Sequence, residues 1–148
     1  MSKNPSSRVG GFRLDAPLAR VFALFTALGE RAWAPGWEPE LLSGSEERGS
    51  AFRTVRDGRE TIWIVVDYRP SEGRVSYARL AQGSNIGLVD VHCAAASEGG
   101  TEVSVRYTLT GLDAQGQAFV TAFLEPQQYR RMIEDWRVAI SQALADHA

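Results

Sequence analysis

The apolar residues Leu18, Val21, Phe22, Phe25 and Leu28 recur at steps of three and four, the spacing of one helical face. That pattern predicts a core-facing helix. Before it, Arg8 to Leu14 reads as a short strand, and Asp15 stands where a helix cap belongs, with Pro17 in the first turn. Gly29 interrupts the face, and Glu30 to Trp33 reads as a second short helical piece that cannot run on easily into Pro35. A long loop then continues through Gly44.

From about Glu46 to Leu112 the signal switches to strands separated by turn residues. Phe52 to Arg56 and Glu60 to Tyr68 flank Asp57-Gly58, a strong hairpin dipeptide. Pro70 to Gly73 makes the next turn, followed by strands at Arg74 to Leu80 and Ile86 to Ala96. Glu98-Gly99-Gly100 then turns the chain into Thr101 to Thr110. The helical period returns through Phe119, Phe123, Tyr129, Met132, Ile133, Trp136, Ile140 and Leu144. Pro126 lies inside that stretch and lacks an amide hydrogen, which predicts a kink or a new helix start near Glu125.

Helices segregated from an antiparallel meander define an α+β order. A terminal helix of about thirty residues would reach on the order of 40 Å and span the sheet. A curved sheet cannot lie flush along such a rod. The expected consequence is a gap lined by one sheet face, the terminal helix and the Trp33 to Trp37 run.

The 148 residues fit one domain, residues 1–148, with Met1 to Ser7 as a frayed start. Hydrophobic residues at 44% and charged residues at 23% favour neither a disordered nor a fibrous chain. A formal charge of −2, with both signs scattered, gives no footprint for nucleic acid or an anionic membrane. The lone Cys93 excludes an intramolecular disulfide and a dithiol centre, and fits a reducing, cytoplasmic compartment. No apolar run approaches membrane-span length.

The element order resembles the START-like (SRPBCC, helix-grip) superfamily, and so do several local phrases. These are Asp15-Ala16-Pro17 followed by Val21-Phe22, the strand Thr61-Ile62-Trp63-Ile64-Val65, the strand end Tyr107-Thr108-Leu109-Thr110-Gly111, and Trp136 in the last helix. The superfamily includes polyketide cyclases, lipid-transfer domains and birch-pollen-allergen relatives, and the likeness here is to bacterial members. It implies a curved antiparallel sheet wrapped around a long C-terminal helix, two short helices after the first strand, and an internal hydrophobic cavity. It assigns no reaction.

Two tryptophans fall within five residues in Glu30-Arg31-Ala32-Trp33-Ala34-Pro35-Gly36-Trp37. An indole beside a chain break is either a core plug or the wall of a cavity. Glu30 sits about one turn before Trp33, and if it points inward, desolvation raises its pKa and makes it a proton donor or acceptor. Alternation groups Val103, Val105, Tyr107 and Leu109 on one face, which should be inward, and Val75 and Tyr77 form an inward pair. Trp63 and Val65 share a parity, but Ile62, Ile64 and Val66 are equally apolar, so that strand's direction stays open. The residues expected to line a ligand site are Glu30, Trp33, Trp37, Phe52, Trp63, Tyr77, Val105, Tyr107, Phe119, Phe123, Met132 and Trp136.

His92 follows Asp90 on one strand face, a pairing suited to general-base work, but Val89, Val91 and Cys93 take the apolar parity and point His92 outward. Arg53, Arg79 and Arg106 could anchor a carboxylate or phosphate if any of them faces inward. There is no nucleophile elbow, phosphate loop, zinc-protease motif or calcium loop, and two histidines and one cysteine favour neither metal nor cofactor. Three functions follow. The first is a noncatalytic carrier or sensor for a small apolar or amphipathic molecule. The second is a cyclase or dehydratase using Glu30, Tyr77, Tyr107 or His92. The third is a protein-interaction module, including a homodimer, through the doubly apolar Ile62 to Val66 strand.

Overall fold

The computed structural model describes residues 4–147. Seven strands form one antiparallel sheet: β1 (Ser6–Leu14), β2 (Glu40–Ser43), β3 (Ala51–Arg56), β4 (Arg59–Arg69), β5 (Arg74–Ala81), β6 (Asn85–Ala95) and β7 (Thr101–Gly111). Their spatial order is β1-β7-β6-β5-β4-β3-β2, so the meander closes with its first strand beside its last. The helices are α1 (Leu18–Ala23), α2 (Ala114–Phe123) and α3 (Pro126–Asp146), with a 3-10 turn at Gly29–Ala32.

The hairpins form where turn chemistry placed them. Asp57 and Gly58 have φ of 53° and 75°, the left-handed pair that a two-residue hairpin turn requires. Alternation also holds along the strands: Val75 and Tyr77, Val89, Val91 and Cys93, and Val103, Val105, Tyr107 and Leu109 are all buried on the inner face. On β4 the structure resolves the open direction. Trp63 and Val65 are buried, whereas Ile64 and Val66 face outward.

Four expectations need correction. Ser6 and Ser7 are not frayed, because they open β1 and pair with Leu109 and Thr108; residues 1–3 of the expected tail lie outside the described residues. Asp15 does not cap α1. Its carboxylate takes Nε of Arg13 at 3.0 Å, and the cap position falls to Pro17, whose side chain makes no capping bond. The loop through Gly44 contains β2, a strand invisible to alternation because all four residues are exposed.

The single thirty-residue terminal helix is the fourth correction: the break expected near Glu125 is a new helix start, so α2 and α3 are separate. Glu125 adopts extended backbone and accepts from the Gln128 and Gln127 amides at 2.9 and 3.2 Å, while Pro126 occupies the first helical position. The 21 residues of α3 therefore span about 30 Å. Gly10 on β1 admits this helix closely: a Cβ there would lie 3.1 Å from Ile133 and 3.2 Å from Tyr129. Tyr129 donates its hydroxyl to the Val105 carbonyl at 2.7 Å and pins α3 to the sheet.

At the start of α2, Asp113 accepts from the Gly116 amide at 2.7 Å. Asp113→Ala is expected to cost about 1 kcal/mol, read from urea unfolding, because that amide loses its only side-chain partner at the helix start. A cost near zero would mean that water replaces the cap fully.

Candidate functional site

Beneath α2 and α3 the sheet leaves a pocket of about 570 Å³. Cross-strand register builds its floor. Phe52, Trp63, Arg79 and Gly87 occupy one inner row across β3 to β6, and Val65, Tyr77, Val89 and Tyr107 the next row across β4 to β7. Phe52 and Trp63 stack at 5.7 Å with a 4° interplanar angle, and Tyr77 meets both edge-on. The opposite wall comes from Met132, Trp136 and Ala139 of α3, with Phe119 and Phe123 of α2 at the rim.

The two tryptophans line the pocket and pack into the core at once, Trp33 within the buried cluster and Trp37 against it. Trp33 donates its indole N–H to the Leu24 carbonyl and Trp37 to the Ala27 carbonyl, each at 2.7 Å. Both rings are thus tied to the segment just before them, so their faces are fixed while still lining the pocket. Trp33 meets Trp136 edge-on at 5.2 Å, which joins the short 3-10 turn to α3 across the cavity.

Most of the side chains expected at a ligand site line this one pocket, namely Glu30, Trp33, Trp37, Phe52, Trp63, Tyr77, Tyr107, Phe119, Phe123, Met132 and Trp136. Val105 does not. It is fully buried below Tyr129, in the part of the sheet that α3 covers tightly. Sequence reading missed Phe25, Val89, Val91 and Ala139 as lining residues, as well as Thr54, Thr61 and Asp135. For Val89 and Val91 the signal was present, in the parity shared with Cys93.

The polar groups sort sharply. Tyr77 gives its hydroxyl to the Phe25 carbonyl at 2.7 Å, so it is a structural strut whose phenol burial pushes further up. Tyr107 makes no such bond among the described residues; burial pushes its phenol up to about 12, with Arg79 pulling it down and Glu30 pushing it up. Glu30 lines the pocket with no hydrogen bond to its carboxyl among the described residues, and desolvation raises its pKa well above the ordinary carboxylate value.

Among the three arginines considered as anchors, only Arg79 enters the pocket. Arg53 lies on the outer face between Glu40 and Glu60, and Arg106 reaches Ser7. The guanidinium carbon of Arg79 stands 5.2 Å from the Trp63 ring centroid, and burial lowers its pKa while Tyr107 acts in the opposite direction. His92 pairs in register with Arg74 and Ser104 on the outer row, away from the pocket. Cys93 is fully buried, and its thiol is pushed up to about 12 by that burial. No metal-binding cluster occurs among the described residues.

This arrangement, a pocket between a gripping sheet and a terminal helix, has counterparts among known proteins. Residues 11–135 match the family model described as polyketide cyclase / dehydrase and lipid transport, and the chain belongs to that family. It is accordingly a member of the START-like superfamily with a helix-grip fold. Norcoclaurine synthase from Thalictrum flavum is 10% identical, with 97% of this chain and 90% of that one covered at a TM-score of 0.68. Ara h 8.0201 is 13% identical, covering 95% and 99% at 0.65. DynU16, from the dynemicin biosynthetic locus, is 16% identical at 0.68; 94% of this chain covers 47% of that one, so the chain spans about half its length. At these identities the likeness shows the fold alone. Among curated protein sequences none matches this one. No helix among the described residues is long and apolar enough to cross a membrane.

Proposed function

We propose that the protein binds a small, largely apolar or amphipathic molecule in the pocket beneath α2 and α3, as a noncatalytic carrier or sensor. The observation that carries this reading is the pocket itself. About 570 Å³ lies open between rigidly tethered aromatic walls, a volume within the usual range of small-molecule sites. Side chains large enough to fill the space are present, but hydrogen bonds to backbone carbonyls hold Trp33, Trp37 and Tyr77 in place around it.

Native mass spectrometry of gently purified protein is expected to show a copurified small molecule, displaced by apolar ligands that also raise the melting temperature. Ala139→Trp, which puts an indole into the lumen from α3, is expected to abolish both effects while the protein stays folded. Absence of any adduct, together with no thermal shift across an apolar library, would overturn the reading.

A second reading, a cyclase or dehydratase without metal, is favoured by one specific observation: Glu30 and Tyr107 converge on the same pocket. A carboxyl whose pKa desolvation raises is a better proton donor than an ordinary carboxylate, and a phenol with no hydrogen-bond partner among the described residues can orient an oxygen. Tyr77 and His92 drop out, the first because it is bonded to Phe25 and the second because it faces outward. Turnover of a polyketide-like substrate that Glu30→Gln abolishes without loss of binding would support this alternative.

For an interaction role, the relevant observation is the outer face, where Ile62, Leu80 and Ile86 form one cross-strand row. A homodimer through that row is expected to show in light scattering and to dissociate in Ile64→Lys, which puts a charge into the adjoining row.

A further inference from the structure

Arg79 is the anomaly of the pocket. Along β5 the inner-face positions run Val75, Tyr77, Arg79, so a cation stands where alternation calls for an apolar side chain. Its guanidinium lies over Trp63, and its Nε is shut off from solvent with no hydrogen-bond partner among the described residues. No carboxylate lies within ion-pair distance of it there. Arg13, Arg53, Arg69 and Arg137 each have one. Arg56 at the pocket mouth is satisfied too, giving Nη2 to the Pro35 carbonyl at 2.9 Å.

A half-buried charge without a counterion is destabilising, and an aromatic face offers electrostatic attraction but no acceptor for the N–H donors, of which Nε is shut off from solvent altogether. Glu30 could neutralise Arg79 from within the same pocket, yet the two do not pair. Asp135 and Arg56 also line the pocket, but both are exposed and neither pairs with Arg79. Arg79 therefore presents an unpaired guanidinium, with its planar fork of donors unused among the described residues and aromatic walls around it.

We propose that the pocket selects an apolar monocarboxylate, with its carboxylate held by the Arg79 guanidinium and its hydrocarbon or aromatic body between the tryptophan and phenylalanine walls. The proposal rests on the ligand-binding reading above and specifies the chemistry of its ligand. Two observations favour a carboxylate over a phosphate monoester. A single guanidinium balances one negative charge, whereas a phosphate monoester near neutrality carries close to two. The surplus charge would sit in an apolar lumen beside Glu30 and Tyr107, with no second cation deep in the pocket to meet it. The planar carboxylate also matches the guanidinium edge in two parallel hydrogen bonds.

The test is isothermal titration calorimetry with three probes of one shape: β-naphthoic acid, β-naphthamide and β-naphthyl phosphate. The native protein is expected to bind the acid at least about tenfold more tightly than the amide, equivalent to about 1.4 kcal/mol, and more tightly than the phosphate. Arg79→Met is expected to bind acid and amide alike, at the native protein's affinity for the amide, and to melt no lower than the native protein, because a half-buried charge without a counterion is gone. Arg79→Lys keeps the charge without the fork and is expected to retain a reduced preference for the acid.

Equal native affinity for acid and amide, or an acid preference that survives Arg79→Met, overturns the inference while leaving a cavity that binds neutral ligands. Stronger Arg79-dependent binding of the phosphate overturns the choice of a monoanion. Binding of none of the three overturns this inference, and the cavity reading falls with it when gently purified protein carries no adduct and the apolar library gives no thermal shift. Should Arg79→Met fail to fold, the native acid-to-amide ratio and its reduction in Arg79→Lys decide the matter.

Discussion

Phe52→Ala is expected to lower the unfolding free energy by about 3–5 kcal/mol, a large part of the stability an ordinary domain possesses. Phe52 is only 1% exposed, and its ring is the hub of the pocket floor. It stacks on Trp63 and meets Trp37 and Tyr77 edge-on at 6.0 and 5.9 Å. Truncation removes the apolar transfer energy of the ring and leaves a void that cannot collapse, because Trp37 and Tyr77 are bonded to the Ala27 and Phe25 carbonyls. Phe119 offers the contrast, being 45% exposed at the rim, so Phe119→Ala is expected to cost about 1 kcal/mol or less. Urea unfolding of both variants checks this. Similar losses would show that the floor relaxes as freely as the rim.

Glu30→Gln is expected to change how stability depends on pH. Burial raises the pKa of Glu30 in the folded protein above its unfolded value. Below the ordinary carboxylate range both states hold the proton, and Glu30 contributes no pH dependence. Above that range the unfolded chain releases the proton and the folded protein keeps it, so stability falls as pH rises until the folded pKa is passed. Glutamine has no proton to lose. The variant should therefore match the native protein near pH 4 and gain on it with rising pH, by up to about 1.4 kcal/mol for each pH unit within the window.

The carboxylates of Glu47, Asp67, Glu125 and Glu134 have lowered pKa values, and they favour folding with the opposite slope. Because both proteins share them, the difference between the two pH profiles isolates Glu30. A difference that stays flat from about pH 4 to pH 8 would mean that Glu30 titrates as an ordinary surface acid.

Much of this fold is written in local pattern. The Asp57-Gly58 turn, the parity of β5 to β7 and the helix start at Pro126 each follow from a constraint acting within a few residues: a positive φ, a pleat, a missing amide hydrogen. Where the pattern failed, the local signal was absent or was outbid. No burial alternates along the exposed strand β2, and α1 starts two residues later than a cap at Asp15 would require, with Pro17 in the cap position. The length of the last helix was overestimated because one apolar period runs through both α2 and α3, and period alone does not register a break.

The candidate site divides in the same way. That aromatic side chains and Glu30 gather near a sheet face and a helix is a matter of element order and parity. Which of their polar atoms remain free is not, because that depends on partners far along the chain. Tyr77 and Tyr107 are alike in sequence context, yet one hydroxyl is bound to Phe25 and the other is left to the pocket. Arg79 shares the parity of Val75 and Tyr77, so its inward direction was legible, but its lack of a counterion was not. By itself the sequence determined an α+β helix-grip chain whose alternating strands put an apolar face under a terminal helix, because pleat and helical period are local. Only the tertiary structure decided that Trp33 and Trp37 line the pocket, that Val105 is core, and that Arg79 stands inside with no counterion among the described residues, because hydrogen-bond and charge partners are settled by packing distant segments together.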